Sequence, residues 1–201
     1  MIEGFLRFQR KVPDALLLIK NVTPSHTNVT INSGIMEKQL SRPDELVAAF
    51  VSEALWICSW VMTEEELNAL YSIADYYVCT SYCEGQNLPM LEAMSEGAIP
   101  ISPTHTAMAD YIDDQNAIIL QSEVMEVPAL SGHYRLWGQP TNVISADEVE
   151  RALHRSHALG AEARTELSRN AQRVVKEKFH SSVLSRALAT VEQTSRVEIE
   201  A

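Results

Sequence analysis

The chain is expected to be an α/β protein, an open parallel sheet with helices on both faces followed by C-terminal helices. Three observations carry this expectation. Apolar runs such as Ala15-Leu16-Leu17-Leu18-Ile19 are too short for helices and suit strands covered on both faces. Stretches with helical spacing and capping signals lie between such runs, so strand and helix alternate strictly. A chain of 201 residues, 46% apolar and 21% charged, supports one ordinary hydrophobic core, since a domain takes roughly 100–200 residues.

Taken in order, Ile2, Phe5 and Leu6 mark a helix that ends before Pro13, and residues 15–19 form the first strand. Residues 21–41, with Pro24, Asn28, Asn32, Ser33 and Gly34, predict a polar, turn-rich loop. A helix is expected from Ser41 through Leu46, Ala49 and Phe50, with Pro43 tolerated in its first turn. Leu55 to Trp60 make a strand. Thr63 with Glu66 three positions on is a capping box ahead of Leu67, Leu70, Tyr71 and Ala74. Tyr76 to Thr80 is the next strand, and a helix opens around Asn87 to Pro89 and closes at Gly97. Ala98 to Ile101 and Ala117 to Leu120 are further strands, after which Gln121 to Ile144 read as an irregular connection. Ser145 with Glu148 predicts a second capping box, its helix turning Val149, Ala152 and Leu153 to the core. Two amphipathic helices follow, one through Leu167, Ala171 and Val174, the other through Val183, Leu184, Ala187, Leu188 and Val191. The expected division is an α/β domain over 1–144 with helices 145–201 packed on it.

Composition narrows the function classes. A formal charge of −11 argues against a nucleic-acid binder, whose affinity comes from clustered Lys and Arg that displace counterions. Met1 leads into an amphipathic stretch rather than a basic head and apolar signal core, which points to a cytoplasmic location. Three cysteines, Cys58, Cys79 and Cys83, without CxxC spacing read as reduced core thiols. The sequons at Asn21 and Asn28 matter only in a secreted protein and are discounted. Neither a metal nor a cofactor is expected.

In an open α/β sheet, ligands bind beyond the carboxyl ends of the strands. The segment Thr80-Ser81-Tyr82-Cys83-Glu84-Gly85-Gln86-Asn87-Leu88-Pro89-Met90-Leu91-Glu92 is such a strand-to-helix loop, and it carries two carboxylates with seven residues between them. The unpaired N–H groups at the helix start favour an anion such as a diphosphate. Glu84 and Glu92 cannot bind phosphate themselves, but each can accept hydrogen bonds from vicinal hydroxyls of a ribose or a sugar. Against this, Ser81 and Glu84 match a capping box, which Gly85 and Pro89 oppose, and Glu92 alone is explained by the helix dipole.

Glu84-Gly85-Gln86-Asn87-Leu88-Pro89-Met90-Leu91-Glu92-Ala93-Met94, continued by Gly97 and Pro100-Ile101, resembles the EGxxLPxLEAMxxGxPVI signature of glycosyltransferase family 4, in its carboxyl-terminal, GT-B type domain. Glu65-Glu66-Leu67, Leu70-Tyr71 and Ala74-Asp75 are similar to the family's helix before that strand, and Pro13-Asp14-Ala15 with Leu17 to an earlier helix-to-strand passage. The likeness covers about residues 1–120 well and the closing helices more loosely.

The resemblance implies a Rossmann-like domain binding a nucleotide-diphosphate sugar, as the donor part of a retaining glycosyltransferase acting on an unknown acceptor. By position, Glu92 would hold the ribose hydroxyls and Glu84 those of the donor sugar, with a share in catalysis. Backbone amides of Gly85, Gln86, Asn87 and Leu88 would face the sugar and diphosphate. Two departures matter. Family members begin this domain with a strand and a loop bearing an Arg and a Lys, whereas residues 1–201 are expected to open in the helix after them and to exclude the amino-terminal acceptor domain. Residues 1–201 alone are therefore expected to fold, bind donor weakly and transfer nothing. Where many members carry Gly-x-Gly after the second strand, this chain has Lys20-Asn21, so base contacts there do not carry over.

Further residues bear two readings each. His105 or Thr106, after the strand ending at Ile101, reaches the phosphates or merely makes the loop polar. His154 and His157, spaced i, i+3, read as a solvated face rather than metal ligands; Trp137 packs under a loop or stacks on a sugar or base; Asp110, Asp113 and Asp114 read as solvated charge. The rival to an enzyme part is a non-catalytic module of the same fold that binds a nucleotide sugar or a protein. A phosphorelay receiver is disfavoured because Asp75 stands at a strand start rather than a strand end.

Overall fold

The computed structural model describes residues 1–20, 48–52, 54–58, 61–126, 140–183 and 185. The chain begins with helix α1 (Ile2–Gln9), strand β1 (Leu17–Lys20), strand β2 (Ala48–Ser52) and strand β3 (Leu55–Cys58). Helix α2 (Glu64–Ser72), strand β4 (Tyr76–Val78), helix α3 (Leu88–Ser95) and strand β5 (Ile99–Ser102) follow. A short 3-10 helix (Thr106–Asp110) leads to strand β6 (Ile118–Ile119), then β7 (Glu123–Glu126), β8 (Pro140–Val143), α4 (Ala146–His157) and α5 (Ala161–Lys178).

β4, β5 and β6 pair in parallel in that order, and β1 pairs in parallel with β3. The strands alternate faces as the pleat requires. Ile118 and Leu120 join Phe5, Phe8, Ile101, Val149, Ala152 and Leu153 in one core cluster, under α1 and α4. Ala117 and Ile119 turn the other way, into a cluster with Met90, Leu91, Met94 and Ala171, under α3 and α5. Helices thus cover both faces of this sheet. Gly4 lets α1 lie directly on α4: a Cβ there would sit 2.5 Å from the Ala146 carbonyl oxygen.

The local signals act as expected at several ends. Thr63 Oγ1 accepts from the Glu66 N–H and the Glu66 carboxylate accepts from the Thr63 N–H, a complete capping box on α2. Gly97, at φ +100°, closes α3 in a Schellman turn: its N–H bonds to Met94 O at 3.1 Å, and Ala98 N–H bonds to Ala93 O at 3.0 Å.

Other expectations are corrected. Ala48–Ser52, expected at the end of a helix, is a strand paired antiparallel with β3. The ladder to β3 overrides the helical spacing of Ala49 and Phe50, and Phe50-Val51 suits a strand. Residues 41–47 of that helix, the loop 21–41 with its sequons, Ser59 and Trp60, and Trp137 lie outside the described residues. So does the last helix beyond its first turn.

The irregular connection after Gln121 holds an antiparallel strand pair, β7 with β8, whose alternation the sequence hardly shows because Val124 and Met125 are both exposed. Leu16 and Leu18, expected under cover, are 57% and 37% exposed among the described residues. Cys58 and Cys79 are buried, but Cys83 is exposed because it stands in the loop after β4. His157 is exposed, as expected, while His154 is partly buried, and both rings meet Phe8 edge-on, at centroid distances of 5.0 and 6.0 Å.

Only half of the second capping box forms. Ser145 accepts from the Glu148 N–H at 3.1 Å, but the buried Glu148 carboxylate turns to the Gln121 N–H, Arg151 and Arg155. Burial alone would raise its pKa; the Gln121 N–H and the Arg155 and Arg151 guanidiniums outweigh that and hold the carboxyl below its usual range. No helix among the described residues is long and apolar enough to cross a membrane.

Candidate functional site

The site lies where β4 and β5 end. After β4 the chain runs through Cys79 to Asn87, a segment with no regular structure, before α3 begins. Asn87 makes the corner. It sits in the left-handed region at φ 61°, which asparagine tolerates better than most residues, and it is buried. Its Oδ1 accepts from the Met90 N–H at 3.3 Å, capping α3, while its Nδ2 donates to Cys79 Sγ at 3.2 Å.

The loop is tied down from the next strand's loop. Thr106 Oγ1 accepts the Glu84 N–H at 3.1 Å, and the Ala107 N–H reaches Glu84 O at 3.4 Å. The Tyr111 hydroxyl donates to Gln86 O. His105 stands between two loops, with Nε2 3.1 Å from Ser81 O and Nδ1 3.2 Å from Ser122 Oγ. Because a carbonyl only accepts, Nε2 carries the proton in that bond. Both ring nitrogens of His105 are therefore engaged within the protein.

Held this way, Glu84 is half-buried, and Gly85 and Gln86 are exposed beside it. Among the described residues nothing accepts from the N–H groups of Gly85, Gln86, Asn87 and Leu88. These amides lie at the positive end of α3, the arrangement that suits an anion. Glu92 is exposed one turn into α3 and accepts a hydrogen bond from the Tyr71 hydroxyl at 3.3 Å.

Three tyrosines report the local field. Burial, then the charge and hydrogen bond of Glu92, push the Tyr71 phenol up to about 12. Burial first, with Cys79, Tyr71, Glu84 and Glu92 adding to it, holds the Tyr77 phenol far above its ordinary value. Tyr111 is pushed up to about 12 by burial, then by Cys79, Glu84 and Asp110. Tyr77 thus lies within electrostatic range of both carboxylates of the segment.

Sequence reasoning singled out Glu84 through Leu88, Glu92, His105 and Thr106, and missed the hydroxyls of Tyr71 and Tyr111. Tyr71 reads as core on its helix, and both side chains are buried, with their hydroxyls bonded to Glu92 and to the Gln86 carbonyl. A separate cleft of about 620 Å³, lined by Asp75, Gly97, Arg164, Ser168 and Gln172, opens at the amino ends of β4 and β5, away from this loop.

Residues 16–129 match the family model described as glycosyl transferases group 1. Over 187 residues the chain is 24% identical to a protein described as a candidate glycosyltransferase, ORF330, of Acidianus filamentous virus 2, covering 92% of this chain and 50% of that one. The chain spans about half the length of that curated relative. The fold is similar to the crystal structure of the C-terminal domain of a glycosyl transferase group 1 family protein from Francisella tularensis. That likeness has a TM-score of 0.59 at 19% identity and covers 89% of this chain and 76% of the other. The match over residues 16–129 spans more than half of the sequence, and the chain belongs to the glycosyl transferases group 1 family.

Proposed function

We propose that this chain is the donor-binding part of a retaining glycosyltransferase of family 4, moving a sugar from a nucleotide diphosphate to an acceptor held by a further domain. The observation that carries the reading is the segment from Glu84 to Glu92 after β4, in which the amides of Gly85 to Leu88 find no acceptor among the described residues at the start of α3.

In this reading the Glu92 carboxylate accepts from the ribose hydroxyls and Glu84 from hydroxyls of the donor sugar. Transfer breaks the bond between the anomeric carbon and the diphosphate oxygen and forms one to an acceptor hydroxyl oxygen, whose proton passes to the departing diphosphate. The diphosphate leaves with increased negative charge, which the loop amides and the positive end of α3 stabilise. His105 contributes by holding Ser81 rather than by touching phosphate, since its ring nitrogens are taken. No residue is assigned as a nucleophile.

Calorimetry with uridine and guanosine diphosphates tests the ribose contact. Hydrogen bonds to a charged group contribute about 1.5–3 kcal/mol, so Glu92→Gln is expected to weaken binding by about 10-fold or more. Unchanged affinity removes Glu92 from the site.

A further inference from the structure

We infer that Tyr71 is the positioning residue for Glu92, fixing the carboxylate so that its free oxygen faces the ribose diol. This rests on the reading of Glu92 given above. Tyr71 comes from the last turn of α2 and is 8% exposed. Its ring packs with Ala93 and Ala98, the two residues joined by the Schellman bond that closes α3. Small side chains there let the ring lie against the closing turn of the helix that carries Glu92. Tyr77 meets the ring edge-on at 6.5 Å. A ring packed on several sides has one place for its hydroxyl, and that place is 3.3 Å from Glu92 Oε2.

Glu92 is otherwise exposed, and a glutamate on an open helix face samples many rotamers. The Tyr71 bond removes much of that freedom before any ligand arrives, which lowers the ordering cost of binding. The phenol stays protonated throughout the neutral range, so it always donates and the carboxylate always accepts. A carboxylate has about four lone-pair positions and this bond uses one, leaving Oε1 and one side of Oε2 for two neighbouring hydroxyls.

The test compares uridine and guanosine diphosphates with their 2′-deoxy counterparts on the parent chain, Tyr71→Phe and Glu92→Gln. Phenylalanine keeps the packing and loses only the hydroxyl. Tyr71→Phe is expected to weaken the ribonucleotides by about 3- to 10-fold and to leave the 2′-deoxy forms within about 2-fold. Equal weakening of both forms, or none, with Glu92→Gln still damaging, overturns the role of Tyr71 and leaves that of Glu92 standing. If Glu92→Gln changes nothing, or the parent chain binds none of the four at millimolar concentration, the reading of Glu92 falls and this inference with it. A ligand-free titration of 13C-labelled tyrosine gives a second readout: Glu92→Gln should lower the Tyr71 pKa towards its ordinary value, and an unmoved titration overturns the contact.

Discussion

Thr106 Oγ1 accepts the backbone N–H of Glu84 at 3.1 Å, joining residues 22 positions apart. The same hydroxyl donates to its neighbour's carbonyl, His105 O, at 2.8 Å. Thr106 holds this place with φ at 55°, an uncommon conformation for a β-branched residue. Local strain and a tertiary hydrogen bond therefore meet at one residue, and they can be separated by mutation.

Thr106→Ala removes the hydrogen bond and keeps most of the strain, so it should destabilise the protein by about 1 kcal/mol. Thr106→Gly loses the same bond but relieves a left-handed conformation that costs about 1–2 kcal/mol. Chemical denaturation should place the glycine variant at or above the alanine variant. The opposite order would show that Thr106 is not strained.

Glu84 is expected to act on the sugar and not on the nucleotide. Glu84→Gln should lower transfer from the nucleotide sugar, measured in the longer protein, by at least about 100-fold while changing nucleoside diphosphate affinity by less than about 3-fold. Equal losses in both would move Glu84 off the sugar.

Glu148 makes stability depend on acid. Its folded pKa is held below the ordinary value, so its contribution is full above the unfolded pKa and is lost as pH falls through the folded one. Arg151 and Arg155 are exposed, which keeps the effect small: Glu148→Gln should cost about 1–2 kcal/mol at pH 7. As pH falls through that lowered folded pKa, the gap between the parent and the variant in thermal unfolding should close. A gap that stays constant from pH 7 down to acid unfolding would contradict the ion-pair account.

What the sequence by itself determined is the set of features whose partners lie within a turn or two. The Thr63–Glu66 box, the Asn87 cap and the Gly97 closure use hydrogen bonds between near neighbours, so residue type and spacing are enough to specify them. The apolar runs and their alternation with helices led to the α/β architecture, and the Glu84–Glu92 segment led to the family. Only the tertiary structure decided the rest. Ser145 and Glu148 have the same spacing as Thr63 and Glu66, yet Glu148 leaves the box because two guanidiniums and the Gln121 N–H lie within its reach. Ala48–Ser52 became a strand because β3 offered it a ladder. Tyr71 reads as a core residue on α2 until α3 packs beside it and sets Glu92 against its hydroxyl. For Glu148 and Tyr71 a deciding partner is remote in the chain, the Gln121 N–H 27 positions away and the Glu92 carboxylate 21, and a charged or polar group takes the partners that folding brings to it.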